Sequence, residues 1–323
     1  MIRALICVCC AFGVAIGTAV AQNYPARSVT LVVSFSAGGP TDVLARSLAA
    51  AMSKPFGQSV VVENRTGAGG TLGAALVAKA APDGYTFLLH HTGMATAPAL
   101  YRKLAYDPLK SFEYVSQVVD VPMTVVARKD FPARTPKEFL SYLKANAATL
   151  NVANSAPGSV SHLCATLLQQ ALGAQMTTVS FQGTAPALTA LVGGHVDVLC
   201  DQTTQTIPHI KAGRIKLYAA ATAQRIQSLR DSPTLNELGL KGFEVVVWHG
   251  IYAPKGTPRP VLDKFGAALR VALKDPVLRA RLTELGVQFV PDSKLTPTGL
   301  SDLLRSEIIK WAPIIQRAGV YAE

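Results

Sequence analysis

Three stretches of small and hydroxylated residues hold the chemistry open to this chain. Ser36-Ala-Gly-Gly-Pro40 follows the apolar run Val29-Thr-Leu-Val-Val33, and Asn154-Ser-Ala-Pro-Gly-Ser159 follows Leu150-Asn-Val-Ala. Gln182-Gly-Thr-Ala-Pro186 follows Thr177-Thr-Val-Ser-Phe181. Each leads into good helix formers, so each reads as a loop from a strand into a helix start. The first turn of a helix has N–H groups with no intrahelical partner, and its dipole makes that end positive. Such a loop holds an anion without a basic side chain. Gly38 and Gly39 lack a Cβ and let a ligand approach the backbone, so bulk at Gly38 is expected to abolish binding. Pro40 suits the first helical position, and Ser159 and Thr184 are candidate N-caps. The plain alternative is three capped helices with no ligand. If one N-terminus from each half faced a shared cleft, the pair would grip two anionic groups of one small molecule.

Other chemistries fit poorly. Gly67-Ala-Gly-Gly-Thr-Leu-Gly73 approaches a dinucleotide fingerprint, but Leu72 stands where its third glycine belongs and no acidic residue follows at the required offset. There is no P-loop and no G-x-S-x-G elbow. Ser159 and His162 lie three apart and would meet on a helix turn, yet no orienting carboxylate is indicated. His90, His91, His195, His209 and His249 show no zinc spacing. No cofactor, metal or catalytic residue is therefore expected. Asp201, at a strand end, is the best candidate carboxylate; beside an anion it is expected to position a loop or accept from a ligand hydroxyl. Trp248 reads as core packing.

The elements that must position these loops alternate between strand and helix, which argues for α/β architecture with largely parallel sheet. One block runs from Val29 to Ala127, with Phe112 to Val119 and Met123 to Ala127 as separate strands. A second runs from the capping box Thr135-Pro-Lys-Glu138 to the strand Ile215 to Ala221. A long strand from Phe243 to Tyr252 and three helices close the chain.

The 323 residues are 49% hydrophobic and 16% charged, ample for a core and unlike a disordered chain. Arg3, the apolar run Ala4 to Val20 and Ala19-Val-Ala21 read as an export signal cleaved after Ala21. Cys164 and Cys200 would then remain in an oxidising compartment, where a disulfide and two buried thiols are both open readings. The net charge of +11 comes from scattered Lys and Arg, which favours anionic ligands over nucleic acid.

Taken in order, several motifs resemble the extracytoplasmic solute-binding receptors of tripartite tricarboxylate transporters, the Bug family. They are Tyr24-Pro-Ala-Arg27, Phe35-Ser-Ala-Gly-Gly-Pro-Thr-Asp42, Val62-Glu-Asn-Arg-Thr-Gly-Ala-Gly-Gly70, Pro82-Asp-Gly-Tyr-Thr-Phe-Leu88 and Tyr106-Asp-Pro108. Gly158-Ser-Val-Ser-His162, Gly183-Thr-Ala-Pro-Ala187, Gly193-Gly-His-Val-Asp197 and Pro208-His-Ile-Lys-Ala-Gly213 continue the series. The resemblance covers essentially the whole chain after residue 21. It implies a two-domain periplasmic binding protein of the type II, venus-flytrap kind. Domain 1 would be 22–124 plus 246–323, domain 2 would be 125–245, and two crossing strands would form the hinge. It further implies a small organic mono- or dicarboxylate as ligand, transporter subunits in the membrane as partners, a monomeric state and a periplasmic location. By motif match the ligand residues would be Phe35, Ser36, Ala37, Gly38, Gly39, Gly158, Ser159, His162, Thr184, Ala185 and Asp201, with Thr92 added from the loop after the third strand. Ser34, His90-His91-Thr-Gly-Met94 and Gln202-Thr-Thr204 depart from the family pattern; these positions would line the far end of the cleft, where ligand identity would be set. Two rival functions are a secreted hydrolase using Ser159, His162 and Asp201, and a sensor serving a membrane signalling partner.

Overall fold

The computed structural model describes residues 24–322. The export-signal reading of residues 1–21 and the cleavage after Ala21 lie outside the described residues.

The chain runs β1 (Val29–Val33), α1 (Pro40–Phe56), β2 (Val60–Asn64), α2 (Thr71–Ala78), β3 (Thr86–His91), α3 (Gly93–Leu100) and β4 (Phe112–Arg128). It continues through α4 (Pro136–Asn146), β5 (Asn151–Asn154), α5 (Val160–Leu172), β6 (Thr177–Ser180), α6 (Thr184–Val192), β7 (Val198–Gln202), α7 (Thr203–Lys211) and β8 (Ile215–Ala220). It ends with β9 (Val246–Pro254), α8 (Arg259–Lys274), α9 (Pro276–Glu284), β10 (Gln288–Phe289) and α10 (Pro297–Ala318). The strands form one ladder in the order β2-β1-β3-β9-β4-β7-β5-β6, with β8 and β10 pairing with β4.

The ladder divides into two lobes because β4 changes partners partway along. Through Pro122 it pairs with β9, and from Met123 onward it pairs with β7 and then β8. Pro122 has no N–H to donate, which suits the point where one ladder ends and the next begins. The two strand runs expected here are therefore one 17-residue strand. The chain crosses back at Val245 and Val246: the Val245 N–H bonds Ala221 O, whereas Val246 pairs with Pro122. The long strand expected from Phe243 accordingly starts later, at Val246, and extends to Pro254 as β9.

Each lobe has helices on both faces of its sheet, which is why inner strands such as β1, β4 and β7 are buried along nearly their whole length rather than alternating, whereas the edge strand β6 (Thr-Thr-Val-Ser) stays largely exposed. In β1, Val29, Leu31 and Val33 enter one core while Val32 enters another. Helix α1 is anchored by Leu44, Leu48 and Met52, all fully buried, each worth about 1.5–3 kcal/mol. In the other lobe α5 buries Leu163 and Leu168 on one face of the sheet, and α6 buries Leu188 and Leu191 on the other. Helix α10 serves both lobes: Leu300 and Leu304 pack in the first, Trp311 and Ile315 in the second. Trp248 is buried in the first-lobe core and donates Nε1–H to Glu307 Oε2 at 3.3 Å, as the packing reading expected.

Candidate functional site

Between the lobes lies a cavity of about 300 Å³. Ser34, Phe35, Ser36, Gly39, Pro40 and Thr41 line it from the β1–α1 loop, and Thr66 to Gly70 from the loop into α2. Ser155 to Pro157 and Ser159 to Ser161 line it at the start of α5, Gln182 to Thr184 at α6, and Asp201 and Gln202 at α7. Five helix N-termini, two from one lobe and three from the other, thus converge on one space. All sit beyond the carboxyl ends of strands, where open α/β sheets bind ligands. No Lys or Arg is among the described residues that line it.

The first loop is held in shape by Asp42. Its Oδ2 accepts from the Gly38 N–H and from Arg46 Nε, both at 2.9 Å, and its Oδ1 accepts from Asn64 Nδ2 at 2.9 Å. Asn64 Nδ2 also donates to Phe35 O at 3.0 Å. Burial works to raise the Asp42 carboxyl, but these hydrogen bonds and the Arg46 charge outweigh it and the pKa is lowered. Phe35 stacks on His91 with ring centroids 4.0 Å apart and meets His90 edge-on. Thr41 Oγ1 lies 3.1 Å from His249 Nε2. Burial, and for His91 the neighbouring His90 and His249, push these imidazoles down, so the wall behind Phe35 is uncharged.

Four consecutive residues with positive φ, from Gly67 to Gly70, shape the loop into α2. At Gly70 a Cβ would come within 2.8 Å of Phe35 Cζ, so glycine is required both for conformation and for room. Across the cavity, Ser159 caps α5 by accepting from the His162 N–H at 3.2 Å. Gly183 N–H donates to Ser155 O at 2.7 Å and ties the α5 and α6 loops together. A Cβ on Gly183 would run into Ser36, so the jaws of the two lobes touch. A disulfide joins Cys164 on α5 to Cys200 on β7, with Cα atoms 6.1 Å apart, and Ser161 Oγ donates to Cys200 O. It fixes the α5 start beside the β7 end.

Three buried polar atoms on the cavity wall have no partner among the described residues: Ser34 Oγ, Asp201 Oδ2 and Gln202 Oε1. Buried polar groups are almost always satisfied, so these point to a polar guest. Asp201 is 1% exposed, and burial pushes its carboxyl up to about 7 against hydrogen bonds from the Gln202 N–H and the Thr184 hydroxyl.

Of the residues singled out in the sequence, Phe35, Ser36, Gly39, Ser159, Thr184 and Asp201 line the cavity; Ala37, Gly38, Thr92, Gly158, His162 and Ala185 do not. Gly38 (φ +74°) and Ala37 are exposed on the outer side of the loop, and the Gly38 N–H is taken by Asp42. Thr92 is buried behind the wall, donating to Val246 O and accepting from the Trp248 N–H. Gly158 faces Leu100 and Ala322 and donates its N–H to His162 Nδ1 at 3.0 Å, which turns His162 to loop support. Ala185 lies one residue past the lining residue Thr184, and its carbonyl accepts from Thr189 Oγ1. Gly183, not Thr184, is the N-cap of α6. Sequence reasoning missed the Thr66 to Gly70 loop, Ser155, Ser161, Gln182 and Tyr101; the glycine cluster before α2 was the signal available for the first of these.

Two lobes joined by crossing strands, with a polar cavity between them, define a periplasmic binding protein of the two-domain α/β class. Residues 44–320 match the tripartite tricarboxylate transporter family receptor (TctC), and the chain belongs to that family. It is 47% identical over 298 residues to a protein of Agrobacterium vitis, "UPF0065 protein in the TAR-I ttuE-ttuC' intergenic region", covering 92% of this chain and 86% of that one. The solved structure of the periplasmic binding protein BugD is similar with a TM-score of 0.89 and 48% identity, covering 92% of this chain and 99% of that one. MatC of Rhodopseudomonas palustris, solved with bound malate, is similar with a TM-score of 0.86 and 43% identity over 90% and 100% of the two chains.

Proposed function

We propose that the chain captures a small dicarboxylate between its lobes in the periplasm and delivers it to a tripartite tricarboxylate-type transporter. Residues 1–21 are taken as the export signal. The observation that carries the reading is the convergence of five helix N-termini, from both lobes, on a cavity with no Lys or Arg among its described lining residues. Oriented N–H groups and helix dipoles favour anions without the flexibility of long basic side chains. A ligand touching both jaws binds the closed state better than the open one and shifts the population toward closure. We place the hinge at the two crossings, Pro122–Met123 and Val245–Val246. The malate bound to MatC, 43% identical to this chain, supports a dicarboxylate of similar size.

The hydrolase alternative lacks an assembled dyad. The Ser159 hydroxyl accepts from the backbone N–H of His162, and the imidazole Nδ1 accepts from the Gly158 N–H. A thermal-shift panel of carboxylic acids, sugars and cations tests the proposal, because a ligand specific to the native state raises Tm. Malate or another dicarboxylate is expected to raise Tm. A shift with a neutral sugar or a cation and none with any carboxylate contradicts the reading.

A further inference from the structure

We propose that Asp201 binds the ligand as a neutral carboxylic acid, donating its proton from Oδ2 to a ligand carboxylate, so that each dicarboxylate enters the site together with one proton. This rests on the dicarboxylate reading above and adds the ionisation state of the site. Asp201, next to last in β7, lies at the cavity wall, is 1% exposed, and its Oδ2 has no partner among the described residues. The groups around it are uncharged. Thr124 of β4 donates its hydroxyl to Asp201 O, and Thr184 of α6 hydrogen-bonds to the carboxyl. The Gln202 N–H at the start of α7 does the same, and Ser161 of α5 donates to the adjacent Cys200 carbonyl. Among the described residues, the other titratable side chains on the cavity wall are His91, which burial keeps neutral, and Tyr101, whose phenol burial pushes up.

An ionised Asp201 would therefore face a dianion with no Lys or Arg among the described lining residues, from a side chain only 1% exposed, where solvent screens the repulsion poorly. A proton converts that repulsion into an O–H···O⁻ hydrogen bond, among the stronger kinds. Burial, net of the Gln202 and Thr184 hydrogen bonds, already brings the carboxyl to about 7 without ligand, so little work is needed to protonate it near neutral pH. The bound carboxylate raises it further. The sign follows: the binding form is the protonated one. Affinity is flat below neutral pH, down to the ligand's own titration, and weakens by about tenfold per pH unit above it.

The test is titration calorimetry with malate at about pH 8.5, in two buffers of unlike ionisation heat, repeated across pH. Expected is uptake of close to one proton per ligand, with Kd rising about tenfold per pH unit. Asp201→Asn, whose amide donates in place of the acid, is expected to bind with a flat pH profile and no uptake. The wild-type uptake stands as a test by itself if that variant folds poorly. Dicarboxylate binding with no uptake and a flat wild-type profile overturns the inference and leaves the dicarboxylate reading standing. Tighter binding of an amino dicarboxylate, growing stronger as pH rises, also overturns it, because an ionised Asp201 would then be pairing with an ammonium. No binding of any dicarboxylate at any pH overturns both.

Discussion

Gly183→Ala separates the strain in a loop from the contact between jaws. Gly183 sits at φ 121°, ψ 171°, a region that only glycine occupies readily. A side chain there costs about 1–3 kcal/mol whether the lobes are open or closed. The second cost exists only when they close. A Cβ at 183 would lie 3.0 Å from Ser36 Cβ and nearer still to its hydroxyl. The hydroxyl can rotate away, but the Cβ atoms separate only if a loop moves, and such overpacking costs about 1–3 kcal/mol. The strain lowers Tm by several degrees, at about 2–4 °C per kcal/mol for a chain approaching this size. The collision weakens ligand affinity by about five- to 150-fold. Calorimetry and thermal melting of Gly183→Ala, alone and combined with Ser36→Gly, read the two costs separately. The second change is expected to restore much of the affinity and none of the Tm. Unaltered affinity in Gly183→Ala, or a loss that Ser36→Gly leaves untouched, would refute closure onto these two loops.

Three further outcomes follow. Gly38→Ala, which points outward into open space, should lower Tm through its positive φ and leave affinity within about twofold; a large affinity loss would return Gly38 to the binding face. Asp42→Asn should weaken binding about tenfold by loosening the first loop. Because the folded pKa of Asp42 is depressed, its contribution to stability is fully present above the unfolded carboxyl value near ~4 and is lost as pH falls through the lower folded value. Melts of the variant and wild type should therefore differ most above about pH 4 and draw together as pH falls through the depressed folded value. Reduction of the Cys164–Cys200 disulfide, which spans 36 residues, should cost about 4 kcal/mol by the chain-entropy relation, measured as a denaturation midpoint with and without reductant.

The strand–loop–helix alternation and the anion-holding loops were legible because local rules govern them: apolar runs, small residues, Pro40 at N1, Ser159 at an N-cap. What the sequence could not show were facts of orientation. Whether the Gly38 N–H faces a ligand depends on Asp42 and Asn64, the latter 26 positions away in the chain, and both turn the loop. The Thr66 to Gly70 loop looks like a failed fingerprint until the fold sets it against Phe35. Thr92 looks free until β9 pairs beside it and takes its hydroxyl. The continuity of β4 through Pro122 was hidden because proline reads locally as a break, whereas here it marks the exchange of strand partners. The cysteines needed a through-space distance, 6.1 Å between Cα atoms, that spacing does not encode.

The central claim is that helix N-termini from both lobes, with no basic side chain, hold a dicarboxylate in the cleft. A crystal structure of the exported chain grown with malate tests it most directly. The account predicts one carboxylate at the start of α1 or α2 and the other at the starts of α5, α6 or α7, bonded to backbone N–H groups and hydroxyls at about 2.7–3.2 Å. A malate seated elsewhere, or one whose carboxylates are held by Lys or Arg, would contradict it.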